Sequence, residues 1–161
     1  MTYHIVATEG ATVDGRNISA VHLEQMAKNY DPKKYGARIW LEHMRGLYAD
    51  SSFAALGDVT SLKTDKNSEG KTVLLAQLAP TPELVKINQS GQKVFTSVEI
   101  DPNFAGSGEA YLVGLGVTDS PASVGTSRLK FAAAQQRAQT HIFSDYCETL
   151  GARRTSTSAG L

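Results

Sequence analysis

Two short segments of this chain alternate strictly between residue types, and that period of two constrains the fold more than any other feature. In residues 38–43, Ile39, Leu41 and His43 fall on one side while Arg38, Trp40 and Glu42 fall on the other. In residues 93–100, Val94, Thr96, Val98 and Ile100 share one side, and Phe95, Ser97 and Glu99 share the opposite one. Arg45-Gly46 breaks the first pattern and Asp101-Pro102-Asn103 ends the second. Both segments therefore read as strands with one face turned to a core. Further β-favouring runs occupy residues 2–8, 57–63, 72–78 and 111–118, and Asn67-Ser68-Glu69-Gly70 suits a turn that makes a hairpin of the middle pair.

Helical spacing is confined to a few places. Ser19 can cap a helix over residues 20–30, in which Leu23, Met26, Ala27 and Tyr30 recur on one face, and Asp31-Pro32 stops it because proline disfavours helical geometry in the residue before it. Thr81-Pro82-Glu83 supplies a cap, a first-turn proline and an acid that suits the helix dipole, and Gly91 can close a short helix there. After Arg128 the sequence turns to Ala, Gln and Arg and then to Thr-Ser-Thr-Ser-Ala-Gly, which reads as a helix followed by a loose tail. About six strands in runs, with two or three helices, predict an α+β domain: a mainly antiparallel β-barrel or sheet with peripheral helices.

The totals narrow the function classes. A chain of 161 residues fits one ordinary domain. Acidic and basic residues balance at 16 each, and no Lys/Arg-rich run concentrates positive charge, so nucleic acid is not an expected partner. The single cysteine, Cys147, cannot form an intramolecular disulfide and suits a reducing compartment, the cytoplasm. No basic-then-apolar leader and no run of 18 apolar residues is present, so neither secretion nor membrane insertion is expected.

Two residues invite chemistry. Ser97 lies on the less apolar face of its strand, and a hydroxyl becomes a nucleophile only with an imidazole in reach and a third group fixing that imidazole's tautomer. His43 ends a strand at a glycine-containing bend, where a side chain can project into a cleft and act as a base. Taken from composition alone, each has an ordinary reading as a small strand residue or a hydrogen-bonded strand-end histidine. Glu99 shares the strand face of Ser97, two positions along, where simple solvation accounts for it. His22 has no HExxH or other metal-ligand spacing around it, and no GxSxG elbow surrounds Ser97. Gly114-Leu115-Gly116 lacks the third glycine, the helix and the acid of a dinucleotide motif and reads as close packing within a strand. No metal or cofactor is expected.

Taken in order, several segments resemble the phage capsid scaffolding protein family of the GPO type, which combines a serine prohead protease with a scaffold. They are Val6-Ala7-Thr8-Glu9-Gly10 with Asp14-Gly15-Arg16, Asn29-Tyr30-Asp31-Pro32 through Arg38, Leu41-Glu42-His43 with Arg45-Gly46, and Gly57-Asp58-Val59. The resemblance continues through Gln92-Lys93-Val94, Thr96-Ser97 with Glu99-Ile100, and Gly108 to Leu115 followed by Val117 to Ser123, so that roughly residues 5–126 are covered. It implies a serine endopeptidase with a triad of Ser97, His43 and Asp14, Asp119 being the rival for the third place. Arg45 and Gly46 become candidates for an oxyanion hole. The peptidase domain is expected over residues 1–127 and a helix and tail over residues 128–161, while the long, helical, charged scaffold region into which full-length members continue is not present after Leu161, the one departure from the family pattern. The substrates implied are that scaffold region and the major capsid protein and portal precursors, cut inside the assembling procapsid in the host cytoplasm. By fold analogy, prohead proteases are similar to herpesvirus assembly proteases, which pair a β-barrel with helices and act as homodimers.

Overall fold

A computed structural model describes residues 2–131. The described residues divide into two compact units, one formed by the residues up to Leu78 with Lys93–Leu129, the other by Ala79–Gln92 with residues 130–131. The first carries a six-stranded sheet. Its strands are β1 (Tyr3–Thr8), β4 (Arg38–Leu41), β5 (Gly57–Lys66), β6 (Thr72–Pro80), β7 (Phe95–Asp101) and β8 (Tyr111–Thr118), and a separate two-stranded ribbon joins β2 (Gly10–Ala11) to β3 (Asn17–Ile18). The spatial order is β1-β6-β5-β4-β8-β7. Pairs β1–β6, β4–β5 and β7–β8 are antiparallel, whereas β4 and β8 run parallel.

The sheet does not close into the barrel that was one of the two expected forms, because β1 and β7 remain its edges. An irregular segment occupies the β1 edge in place of a ladder. Ser127 N–H donates to the Ile5 carbonyl at 2.9 Å, Ile5 N–H donates to Ser127 Oγ at 2.9 Å, and Thr8 N–H donates to Ser123 Oγ at 2.9 Å. The same segment reaches the start of β7, where Leu129 N–H donates to the Val94 carbonyl at 2.6 Å. Serine hydroxyls thus satisfy edge groups that would otherwise solicit another strand.

Helix α1 (Ala20–Asn29) begins where Ser19 Oγ accepts from His22 N–H at 3.2 Å and ends before the Asp31-Pro32 stop. Its Leu23 and Met26, one turn apart, are fully buried, as are Val6, Ile39, Leu74, Leu112, Leu115 and Val117 from the strands. The Tyr30 hydroxyl accepts from Ala37 N–H at 2.9 Å and donates to the Val59 carbonyl at 2.7 Å, pinning the chain that leads into β4. At the tip between β5 and β6, Asn67 N–H donates to Lys71 O and Gly70 N–H to Asn67 O, both at 2.9 Å, so the expected turn forms where it was placed.

In the second unit, helix α2 (Pro82–Gln89) is capped by Thr81 Oγ1, which accepts from Leu84 N–H at 3.2 Å, and Phe131 N–H donates to Asn88 Oδ1 at 3.0 Å. The remainder of the helix and tail expected over residues 128–161, with His141 and Cys147, lies outside the described residues. Among the described residues, no helix is long and apolar enough to cross a membrane.

Candidate functional site

Strands β7 and β8 form the floor of the site. In their register Ser97 stands opposite Gly116, and Glu99 stands opposite Gly114. Directly opposed residues of an antiparallel pair share a face, with Cβ positions about 5 Å apart. Ser97 and Glu99 therefore face the same side as two residues that have no side chain, and other groups fill the room left over β8. A Cβ on Gly116 would meet the Glu42 carbonyl oxygen at 2.5 Å, His43 Cε1 at 2.7 Å and His43 Nδ1 at 2.8 Å. A Cβ on Gly114 would run into the Glu99 carboxylate and come within 3.1 Å of Arg45 Nη2. The imidazole of His43 thus lies over Gly116, beside Ser97.

His43 arrives there through a strained turn rather than as the last residue of its strand. β4 ends at Leu41, whose carbonyl accepts from both His43 N–H and Met44 N–H at 2.9 Å, and Glu42 between them has a φ of 62°. Left-handed backbone in a three-residue turn is uncommon for a non-glycine residue and costs on the order of 1 kcal/mol or more. Two contacts hold it: Glu42 N–H donates to the Val117 carbonyl at 2.9 Å, and Lys93 Nζ lies 2.6 Å from Glu42 Oε2. The parallel pairing of β4 with β8, which sets Leu41 against Val117, places this turn over Gly116.

Glu99 is the carboxylate that meets the imidazole. His43 Nδ1 is 2.6 Å from Glu99 Oε2, and Arg45 Nη2 donates to Glu99 Oε1 at 2.7 Å. The Arg45 guanidinium also lies 4.6 Å from the centre of the Trp40 ring and donates from Nη1 to the His43 carbonyl at 3.3 Å. The Glu99 side chain is 18% exposed, against 44% for His43. Burial is the largest single influence on Glu99 and pushes its pKa up, but the hydrogen bonds from Arg45 and His43, with the Arg45 charge, outweigh it and hold the carboxyl below its ordinary value. An anion therefore faces Nδ1, and Nε2 is the nitrogen left to act as a base. Among the described residues no hydrogen bond joins Ser97 to His43, and such contacts in a free site commonly tighten when substrate binds.

The other expected site residues lie elsewhere. Asp14 Oδ1 and Oδ2 accept from Arg16 Nε at 3.2 and 3.0 Å, and Oδ1 also accepts from the Thr12 hydroxyl. These bonds lower its pKa to about 2, the Arg16 bond contributing most. The acid expected to orient His43 thus has its carboxylate on Arg16 and Thr12. Its rival, Asp119, follows the end of β8 and accepts from Val94 N–H at 3.3 Å. Of the two residues expected to offer oxyanion donors, Arg45 binds Glu99, and Gly46 N–H donates to the Phe53 carbonyl at 2.9 Å. A hollow of about 70 Å³ opens beside Ser97, with Ile18, Val98, Ile100 and Ala122 in its wall and Arg16 also lining it. Among the described residues, no three His, Cys, Asp or Glu side chains converge as metal ligands.

What sequence reasoning underweighted was Glu99 and the two glycines. The available signal was a coincidence of spacing: Ser97-x-Glu99 on one strand and Gly114-x-Gly116 on another have the same two-residue step. Each fragment is bland alone, and only the pairing of β7 with β8 gives them a joint meaning.

Comparison with known proteins agrees with this geometry at the level of family. Residues 2–134 match the family described as GPO serine peptidase, N-terminal domain. The chain is also 50% identical over 131 residues to the capsid assembly scaffolding protein of Escherichia phage P2, an alignment covering 78% of this chain and 46% of that protein. The chain therefore spans about half the length of that relative. No solved structure matches it. With its family match running through the segments that carry Ser97, His43 and the paired glycines, the chain belongs to the GPO serine peptidase family, as an N-terminal domain.

Proposed function

We propose that this chain is the peptidase part of a capsid-assembly protein, with Ser97 as nucleophile and His43 as general base. The observation that carries the reading is the placement of the imidazole over Gly116, directly across the strand pair from Ser97, in a chain of a serine peptidase family. Ser97 Oγ attacks the scissile carbonyl carbon while its proton passes to His43 Nε2. The tetrahedral intermediate collapses as the same proton moves to the leaving amine, and water then hydrolyses the acyl-enzyme by the same two steps. Asp14 serves this site through Arg16, which it holds beside the hollow next to Ser97.

The substrates are the scaffold region of the same protein and the capsid and portal precursors around it, cut within the procapsid in the host cytoplasm, with the peptidase acting as a homodimer. The capsid-assembly setting, though not the choice of precursors or the homodimer, draws support from the name of the phage P2 relative, a capsid assembly scaffolding protein. A second reading draws on the same name: a scaffold or capsid-binding module that keeps the fold without catalysis.

A fluorophosphonate probe separates the two. In that reaction an Oγ–P bond forms, the P–F bond breaks, fluoride leaves, and the serine proton goes to His43. The chain should be labelled at Ser97, as mapped by mass spectrometry, while Ser97→Ala melts at the same temperature and takes up no label. Coat protein binding without labelling of Ser97 would establish the module instead.

A further inference from the structure

We infer that Glu99, clamped by Arg45, is the group that orients His43 in this peptidase, a role that rests on the serine-peptidase reading above. Three contacts define it. Glu99 Oε2 lies 2.6 Å from His43 Nδ1, Glu99 Oε1 accepts from Arg45 Nη2 at 2.7 Å, and Arg45 Nη1 lies 3.4 Å from Oε2, so the guanidinium grips both oxygens of one carboxylate. Such a fork fixes the plane and rotamer of the acid more firmly than a single bond. Gly114 leaves the room in which Glu99 and Arg45 meet, and Gly116 leaves the room in which the ring lies. Asp14 and Asp119 have their carboxylates on Arg16 and on Val94 N–H.

The chemistry follows from which nitrogen carries the proton. A carboxylate at 2.6 Å from Nδ1 accepts a hydrogen bond, so the neutral imidazole is held as the Nδ1–H tautomer, with an unprotonated Nε2 ready to receive the Ser97 proton. When that proton arrives, the imidazolium faces an anion. Arg45 has two opposed effects here: it keeps Glu99 ionised and fixed, while its own charge repels the imidazolium. The anion lies 2.6 Å from Nδ1, whereas the guanidinium reaches the ring only across the carboxylate, so the attraction outweighs the repulsion. Glu99 touches neither substrate nor the reacting oxygen, so it is a positioning residue.

This arrangement makes Glu99→Gln a sharp test. Both Arg45 nitrogens are donors and require an oxygen, so the single amide oxygen turns to Arg45 and the amide NH2 turns to His43. An NH2 donor at Nδ1 forces the proton onto Nε2, the tautomer that cannot act as a base. Histidine 15N resonances of the 161-residue chain at neutral pH should show His43 protonated at Nδ1 in the wild type and in Asp14→Asn, and at Nε2 in Glu99→Gln. The rate of Ser97 labelling by the fluorophosphonate should fall on the order of 100-fold or more in Glu99→Gln.

A wild-type His43 protonated at Nε2 would overturn the inference without any variant having to fold, as would Glu99→Gln labelling at the wild-type rate. Asp14→Asn shifting the proton to Nε2 would transfer the role to Asp14. Absence of labelling in the wild type, with His43 protonated at Nδ1, would count against the peptidase reading while leaving the Glu99 contact in place, so the two failures are distinct.

Discussion

At the scale of single residues the site depends as much on missing atoms as on reactive ones. Gly116 is needed because the His43 ring and the Glu42 carbonyl already occupy the place of its Cβ. Gly116→Ala should push the imidazole off Ser97 and lower the rate of fluorophosphonate labelling by about 100-fold, since a displacement near 1 Å is enough for such a loss. Forcing the extra methyl into β8 should also cost about 1–3 kcal/mol of stability. Denaturant melts alongside labelling rates separate the two effects: a melt unchanged within error together with an unchanged labelling rate would mean that the ring does not sit where Gly116 leaves room. This is also where the sequence was least informative. Alternation put Ser97 and Glu99 on one strand face, but it carries no sign that residues 114 and 116 lie across from them, because that contact belongs to the pairing of strands whose opposed residues here are 15 and 19 positions apart in sequence. The left-handed Glu42 was equally hidden, since glutamate is not a residue that announces positive φ.

At the scale of elements, much more was legible. The two alternating segments became β4 and β7, the apolar run at 111–118 became β8 over the same residues, and Ser19 and Thr81 both cap helices. These are local signals, set by side-chain period and by caps that act within one turn. The β2–β3 ribbon, two residues per strand, is too short to show a period, and the parallel β4–β8 contact has no local signature. Strand β7 carries one internal tension. Thr96 is fully buried on the face opposite Ser97, and its hydroxyl has no hydrogen-bond partner among the described residues, whereas the buried Thr118 Oγ1 on the neighbouring strand accepts from Ser120 N–H at 3.0 Å. The same substitution should therefore act with opposite sign at the two positions. Thr96→Val removes a desolvated, unpaired hydroxyl and should stabilise by about 1 kcal/mol, and Thr118→Val strands a donor and should destabilise by about as much. Urea midpoints of the two variants check this, and a Thr96→Val that destabilises as Thr118→Val does would show that the Thr96 hydroxyl has a partner in solution.

At the scale of the whole molecule, the charges balance in number but not in their response to acid. Glu9, Glu42 and Glu109 are held below their ordinary value of 4.5, chiefly by bonds to Thr72, Lys93 and Asn29 respectively; Glu99 is lowered because its bonds to Arg45 and His43 outweigh burial. Asp14 is lowered from 3.8 to about 2 by Arg16 and Thr12. A carboxyl with a depressed folded pKa binds fewer protons in the native state than in the unfolded one, so its contribution is fully present above its ordinary value and is lost as pH falls through its folded value. Asp58 works in the other direction, because burial raises its pKa more than Arg38 lowers it, and its contribution favours the protonated form. Five groups outnumber one. Burial also holds His4 below its ordinary value of 6.5, so stability should begin to fall below about pH 6.5 and decline further from about 4.5 toward pH 2, where Asp14 is the last of these carboxylates to take up a proton. Most of the five are open to solvent, so each gives little and salt weakens it. Urea midpoints measured between pH 7 and pH 3 should therefore drop less steeply in high salt, and in Glu99→Gln the decline should be shallower still, since that variant has lost one of the most enclosed of these carboxylates before acid is added. A midpoint that rises as pH falls from 4.5 would mean that Asp58 outweighs the other five.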